Sequence, residues 1–171
     1  MPYIQAKSAT RDAWLYQVLP GAPKYGRFIV DGVDVYRAIE EGDVEQFDFP
    51  IGYKRHNGGK RIGDLVWTMS AAKVASLRFS ETLRSANATG YKTFPLEFSG
   101  SAASLFEGYV GLAVTSDDPS NDLWNERPWN SFGFHVNDRV YAVLLEAGVD
   151  GFEIVDPNPV FDPPNPPVDA L

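Results

Sequence analysis

Apolar residues recur at helical spacing in two stretches of this chain. Those of the first stretch would share one helix face: Ala72, Ala75, Phe79, Leu83 and Ala86. Those of the second would do the same: Val136, Val140, Val143, Leu144 and Ala147. Because such spacing gives a helix one apolar side that can pack on a core, both stretches are predicted to be amphipathic helices.

Similar signals precede both predicted helices. Ser70 and Asn137 are favoured N-cap residues, because their side-chain oxygens can accept hydrogen bonds from first-turn amides. Apolar residues at the spacing of a hydrophobic staple flank each cap: Met69 and Val74, and Val136 and Tyr141. A glycine and an aromatic-rich extended segment then follow each helix. We interpret the two units as similar helix-then-strand steps rather than as a duplication, because the predicted helices differ in length.

The rest of the chain is predicted to be rich in short strands. Runs of β-prone residues bounded by turn residues are 13–19, 25–30, 33–36, 62–67, 93–98 and 109–115. The last two are expected to pair antiparallel, and residues 39–49 to form a loop or a short helix. The predicted fold is therefore α+β, a single domain with a mostly antiparallel sheet and two main amphipathic helices.

Length and composition set the domain organisation. A chain of 171 residues with 44% hydrophobic residues can bury a substantial core as one domain. We expect a single domain over residues 1–155 and a proline-rich tail over residues 156–171, which holds six prolines. The chain has no run of eighteen apolar residues, no start typical of a signal peptide and no cysteine. A cytoplasmic protein without a membrane partner is expected.

Acidic residues are concentrated in one segment. The net charge is −8, and residues 31–48 hold seven acids against one base, Arg37. Such a surface repels phosphate groups, so nucleic-acid binding is not expected. It would attract a basic protein partner, although an acidic face that only keeps the protein in solution is the simpler interpretation.

Residues suited to catalysis or metal binding are scarce. His56 and His135 are the two histidines of the sequence, and no Gly-x-Ser-x-Gly motif is present. The acids of residues 117–126 lack the spacing of a calcium loop, so a solvated loop is favoured there. Residues 58–61 are interpreted as an ordinary turn. We predict no catalytic residue, no metal site and no cofactor.

Two tryptophans are candidates for a binding surface. Trp124 and Trp129 lie in a polar, proline-containing segment beside several acids. Tryptophan close to charged residues is typical of the residues that contribute most to protein–protein binding. The alternative is that both rings close over one end of the core.

One part of the chain resembles a known family. Residues 63–67, Ser70, and the segments 90–91 and 94–98 are similar to the middle of certain bacterial immunity proteins. These are small cytosolic proteins, common in myxobacteria, whose genes lie beside those of polymorphic toxins. The resemblance implies a protein that binds and neutralises a toxin, and it implies no catalytic residues.

The resulting functional hypothesis is a non-catalytic protein that covers the active site of a basic cognate toxin. The residues expected to attract the toxin are Glu40, Glu41, Asp43, Glu45 and Asp48, and the expected anchors are Trp124 and Trp129. The alternatives are a small carboxylate-dependent enzyme acting on a sugar or nucleotide, and a phage or secretion-system accessory protein. A concave pocket with facing carboxylates would favour the enzyme, and an exposed acidic face would favour the binding protein.

Overall fold

A computed structural model describes residues 1–126 and 132–157 of the chain. In these residues the strands are β1 Tyr3–Ala6, β2 Leu15–Val18, β3 Ile29–Val30, β4 Val33–Asp34, β5 Gly52–Arg55, β6 Leu65–Val66, β7 Lys73–Ala75, β8 Tyr91–Phe94, β9 Glu97–Phe98, β10 Val110–Val114, β11 Leu123–Trp124, β12 Gly133–Val136 and β13 Phe152–Ile154. The helices are α1 Val35–Glu41, α2 Leu77–Ser85, α3 Ala102–Leu105 and α4 Asp138–Glu146. Most of the predicted tail, residues 158–171, lies outside the described residues.

The strands form two four-stranded sheets, with orders β6-β7-β10-β8 and β11-β12-β1-β13. A three-stranded sheet, β2-β5-β9, and the hairpin β3–β4 complete the described part. Neighbouring strands are antiparallel except for β5 and β9. The predicted α+β, single-domain and mostly antiparallel fold is confirmed, and α2 and α4 are its two main helices.

The two four-stranded sheets repeat one arrangement. In each, a hairpin leads into a nine-residue helix and then into an edge strand, as β6–β7–α2–β8 and as β11–β12–α4–β13. The remaining strand, β10 or β1, lies between the second hairpin strand and the edge strand. The register agrees as well, because Leu112 faces Lys73 and Thr93 just as Ile4 faces Phe134 and Ile154.

This repeat corrects our interpretation of the two helices. The cap of α4 is Asn137, as predicted, but α2 begins after Ser76 and not after Ser70. Residues Lys73–Ala75 form β7 instead, because pairing with β6 and β10 supplies backbone hydrogen bonds on both sides. With this start the two helices have equal length, so the argument against a duplication was wrong.

The apolar positions divide between two cores on opposite faces of the β6-β7-β10-β8 sheet. Phe79 and Leu83 of α2 are buried with Val140 and Leu144 of α4, as their spacing predicts. Leu112 of β10 faces this core, whereas its neighbour Ala113 faces the core beneath α1 and the three-stranded sheet. Because successive side chains of β10 point to opposite faces of the sheet, this one strand contributes residues to both cores.

Other local predictions hold in part. Asp31 and Gly32 have φ values of 50° and 79°, which fits the predicted tight turn between β3 and β4. Residues after Val33–Asp34 turn into helix α1 and do not continue as a strand. Pro95 ends β8, since proline lacks the N–H that a strand ladder needs, and Glu97–Phe98 joins β5.

Two buried aspartates connect the repeated halves. The carboxylate of Asp64 accepts hydrogen bonds from the Ser76 hydroxyl at 2.5 Å and from the Arg78 guanidinium at 2.6 Å. It also accepts one from the Asp150 N–H at 2.9 Å. Ser76 is the cap of α2, and Asp150 belongs to the other half. Asp64 thus fixes the start of one helix and joins it to the second half.

Asp122, in the second half, likewise fixes the start of a helix and joins the two halves. Its carboxylate accepts from the side-chain amide of Asn137, the cap of α4, and from Arg139 at 2.9 Å. It also accepts from the Thr89 N–H of the first half at 2.9 Å. Asp122 is 8% exposed, which corrects the expectation that it belongs to a solvated loop. The two halves therefore exchange equivalent contacts.

Hydrogen bonding determines the charge state of Asp64. Burial acts to raise its pKa, but the hydrogen bonds from Arg78, Ser76 and the Asp150 N–H outweigh burial and lower it. A lowered pKa in the folded state contributes stability above the ordinary pKa of aspartate, and this contribution is lost as the pH falls through the folded-state pKa.

We expect Asp64→Ala to lower the free energy of unfolding by about 2 to 4 kcal/mol at pH 7, because it leaves a buried hydroxyl and a backbone N–H without their acceptor. Urea denaturation measures the change. Glu81→Ala, which removes an exposed ion pair with Arg84 at 3.6 Å, is the matched control and should change stability by less than about 0.5 kcal/mol. Equal midpoints for both variants would contradict the proposed role of Asp64.

Candidate functional site

An open groove of about 590 Å³ lies between the segment after α1 and strand β8. Two of the predicted partner-binding acids, Asp43 and Glu45, line it. The other lining residues are Gly42, Val44, Phe47, Phe49, Pro50, Ile51, Lys92, Thr93, Phe94 and Pro95. The rings of Phe47 and Phe49 are stacked, with centroids 5.1 Å apart. The groove therefore combines negative charge with an aromatic wall.

The end of α1 places the acidic segment against the sheet. Gly42 has a φ of 73° and donates its N–H to the last turn of the helix, a C-terminal conformation that favours glycine. A side chain at Gly42 would crowd Ala113 and Lys92. Next to it, Asp43 forms an ion pair with Lys92 at 3.0 Å. The chain is thereby held alongside β8 before it turns back at Phe47.

The five predicted acids have different surroundings. Glu45 and Asp48 are exposed, and neither forms an ion pair with another part of the chain that the structure describes. Glu41 pairs with Arg37 on the same helix at 3.2 Å, and Asp43 pairs with Lys92. Glu45 and Asp48 therefore carry the charge that is most accessible to a partner.

Glu40 is half-buried and does not line the groove. Its pKa is raised to about 7, mainly by burial; Lys73 acts to lower it, while nearby Asp34 and Glu41 contribute to the increase. Burial also lowers the pKa of Lys73 to about 8. At neutral pH, Glu40 is thus only partly ionised and attracts a basic partner less than the sequence implies.

Trp124 lies away from the groove, in a different sheet from the groove-lining strand β8. It belongs to β11, is half-buried, and stacks on His135 with ring centroids 3.9 Å apart. Tyr3 contacts the same histidine edge-on at 4.9 Å. Burial lowers the pKa of His135, which agrees with a packed, structural histidine. The other predicted anchor, Trp129, lies outside the described residues.

The glycine-rich turn, a possible metal site and a possible membrane helix were also considered from the sequence. Arg61, in the glycine-rich turn, forms an ion pair with Asp12 at 2.5 Å. Within residues 1–126 and 132–157, no group of three or more His, Asp or Glu side chains is arranged to hold a metal ion. No helix in the same residues has both the length and the apolar character to cross a membrane.

Sequence reasoning missed part of the groove. Phe47, Phe49, Lys92 and Thr93 line it, and none was predicted to contribute to binding. The spacing of Phe47 and Phe49 inside an acidic segment was the available signal, since aromatic residues are enriched in binding surfaces. Nothing local indicated that β8 would form the opposite wall.

Comparison with known proteins leaves the function to be argued from this geometry. No family model matches the chain, and no curated protein matches it. The groove is the place where predicted binding residues meet a cavity in the described structure, since Asp43 and Glu45 both line it. It is therefore the candidate functional site of the protein.

Glu40→Gln tests the environment of Glu40. Because the folded-state pKa is raised, ionisation of Glu40 costs stability as the pH rises from about 4.5 through about 7. The free energy of unfolding of the variant, relative to the wild type, should rise by about 1 to 2 kcal/mol between pH 4 and pH 8, after discounting for solvent screening. Urea denaturation across this range, with Glu45→Gln as the exposed control, measures it. A pH-independent difference would contradict the assignment.

Proposed function

We propose that this protein binds a partner protein through the acidic groove and neutralises it by covering a basic active-site surface. The observation that carries the proposal is the combination of Asp43, Glu45 and the stacked rings of Phe47 and Phe49 in one cavity, with the exposed Asp48 in the same segment. Acids provide long-range attraction, and aromatic rings provide apolar contact area. Protein-binding surfaces combine these two contributions.

Electrostatic attraction should act mainly on the rate of association. Asp43, Glu45 and Asp48 lie within six consecutive residues, and Lys92 neutralises Asp43 alone among them. A basic partner would be drawn to this segment over distances of roughly 10 Å at 0.1 M salt. Charges at such a rim change association rates and their salt dependence more than the final affinity.

Aromatic contacts should act mainly on the lifetime of the complex. Phe47 and Phe49 are only partly buried against the core, so part of each ring can contact a partner. Truncating an aromatic residue at the centre of an interface commonly costs more than neighbouring changes do. Trp124 is retained in the proposal as the anchor of a second contact, away from the groove. Trp129 is retained as a predicted anchor that lies outside the described residues.

The partner that fits this surface is a cognate toxin with a basic active site. The resemblance to bacterial immunity proteins supports this choice, because those proteins neutralise toxins encoded beside them. The expected cytoplasmic location, and an acidic surface that would repel nucleic acid, agree with the same role. The product of the neighbouring gene is therefore the first partner to test.

Reversing three groove-side acids tests the electrostatic part. We expect the triple variant Asp43→Lys, Glu45→Lys and Asp48→Lys to associate at least about 10-fold more slowly with the neighbouring gene product and to show a weaker salt dependence. Surface plasmon resonance at several salt concentrations gives both quantities. The control reverses three exposed acids elsewhere, Glu107, Glu146 and Glu153, and preserves the change in net charge. Equal association rates for the two triple variants would refute the proposed surface.

Phe49→Ala and Trp124→Ala test the anchors. Each should speed dissociation, with a loss of about 2 kcal/mol, or about 30-fold in Kd, for a residue at the centre of the interface. Thermal melts of the free variants are needed, because both rings also contact the fold. Unchanged dissociation in a folded variant would remove that residue from the interface, and rapid turnover of a small substrate by the isolated protein would reject the binding function.

A further inference from the structure

Strand β8 is an open edge of its sheet. The N–H of Thr115 donates to the C=O of Gly90 at 2.8 Å, and the register continues with Lys92 opposite Ala113 and Phe94 opposite Gly111. In an antiparallel pair, alternate residues direct their N–H and C=O towards the partner strand. Lys92 and Phe94 are therefore bonded to β10.

The intervening residues direct their backbone away from the sheet. Tyr91 and Thr93 lie between the bonded positions, so their N–H and C=O groups point to the open side of β8. Within the described part of the chain no strand pairs on that side, and no hydrogen bond of a turn or loop reaches these groups. Two residues thus offer up to four backbone hydrogen bonds.

The acidic groove runs along this edge. Side chains of successive strand residues point to opposite faces, so Lys92 and Thr93 lie on different faces of the sheet. Both line the groove, as do Phe94 and Pro95, so the cavity follows the part of β8 in which Thr93 directs its backbone outward. A chain occupying the groove would therefore lie beside the outward backbone of Thr93, and by continuing along the edge it would reach that of Tyr91.

The usual protection of an edge strand is weakened here. A lysine on an edge strand discourages pairing with another chain, but the ammonium of Lys92 is paired with Asp43 at 3.0 Å. Thr93 is exposed and carries no charge. The strand is only four residues long, which limits uncontrolled pairing yet leaves room for a short segment.

We propose that β8 receives an extended, lysine- or arginine-bearing segment of the partner protein as an additional strand. Strand addition of this kind obtains affinity from main-chain hydrogen bonds and specificity from side chains. A basic side chain of the segment would face Glu45 and Asp43, and an apolar one would cover Phe47 and Phe49. The inference rests on the proposed function and names how the partner engages the groove.

Charge argues against a second copy of this chain as the occupant. Pairing two β8 strands would bring two acidic segments together, each carrying Glu45 and Asp48 without an ion pair among the described residues. Like charges at short distance oppose such an arrangement. A basic segment relieves this repulsion, so charge complementarity selects a partner of opposite sign.

The repeated fold supplies a matched control. Next to β13 the N–H of Lys7 donates to the C=O of Gly151 at 2.9 Å, just as Thr115 donates to Gly90 next to β8. Ile154 therefore occupies the position equivalent to Thr93, with its backbone pointing outward from an edge strand. Proline is tolerated at such edge positions but removes the N–H. Thr93→Pro and Ile154→Pro make the same change on the two edges.

The first experiment uses a synthetic ten-residue peptide of alternating threonine and lysine and follows backbone amides by NMR. We expect shifts and slowed hydrogen exchange at Tyr91 and Thr93. Binding should weaken at least 10-fold in Thr93→Pro and stay within 2-fold in Ile154→Pro. A threonine–glutamate peptide should not bind. A threonine–lysine peptide that is N-methylated at alternate residues gives the same test without changing the protein, should Thr93→Pro fail to fold.

Three outcomes would overturn the inference. The first is that the amide signals of Tyr91 and Thr93 do not shift, even if those of residues 43–49 do. The second is equal binding by the N-methylated peptide, or equal weakening by both proline variants. The third is a dimer in light scattering that Thr93→Pro abolishes, which would assign the edge to a second copy.

Measurements with the neighbouring gene product separate this inference from the proposed function. If that protein binds the wild type and Thr93→Pro equally, but the triple lysine variant weakly, the function stands and strand addition fails. If it does not bind the wild type at all, the proposed function fails for that partner, and the peptide result alone decides on strand addition.

Discussion

The structure depends on two buried aspartates that would be costly to bury without partners. Asp64 and Asp122 each receive a hydrogen bond from a helix cap, an arginine two residues after that cap, and a backbone N–H of the opposite half. A buried carboxylate lacking such partners destabilises the folded state by several kcal/mol. Neither half can therefore separate from the other without exposing or orphaning a charge.

This exchange of contacts arranges the helices and, through them, the sheet edges. Arg139 at the start of α4 also donates to the Ala86 C=O at the end of α2, at 2.8 Å, where the helix dipole favours a cation. The helices thus pack against each other on one face of each sheet. Strands β8 and β13, which follow them, remain at the edges, and the acidic segment is placed beside β8.

The sequence predicted what depends on local spacing. The buried positions of Phe79 and Leu83 follow from helical periodicity, and the cap at Asn137 follows from its chemistry. The cap of the first helix was predicted at Ser70, and the actual cap is Ser76. The pairing of Lys73–Ala75 with the distant β10 makes the intervening residues a strand, and no local pattern indicated that pairing. Asp122 was assigned to a solvated loop for the same reason, since Thr89 lies far away in the sequence.

In the candidate site, too, contacts between residues far apart in the sequence could not be predicted. The site also suggests why the two halves differ. Composition identified the acidic segment but not the groove, whose opposite wall comes from β8. It also did not indicate the burial that leaves Glu40 only partly ionised at neutral pH. The two edges have equivalent backbones, so a difference in their binding must come from what lies beside them. Beside β8 this is α1 and the following residues, which add charge and aromatic rings. A repeated scaffold thus provides two edges, and in our proposal the acidic segment specialises one of them for binding.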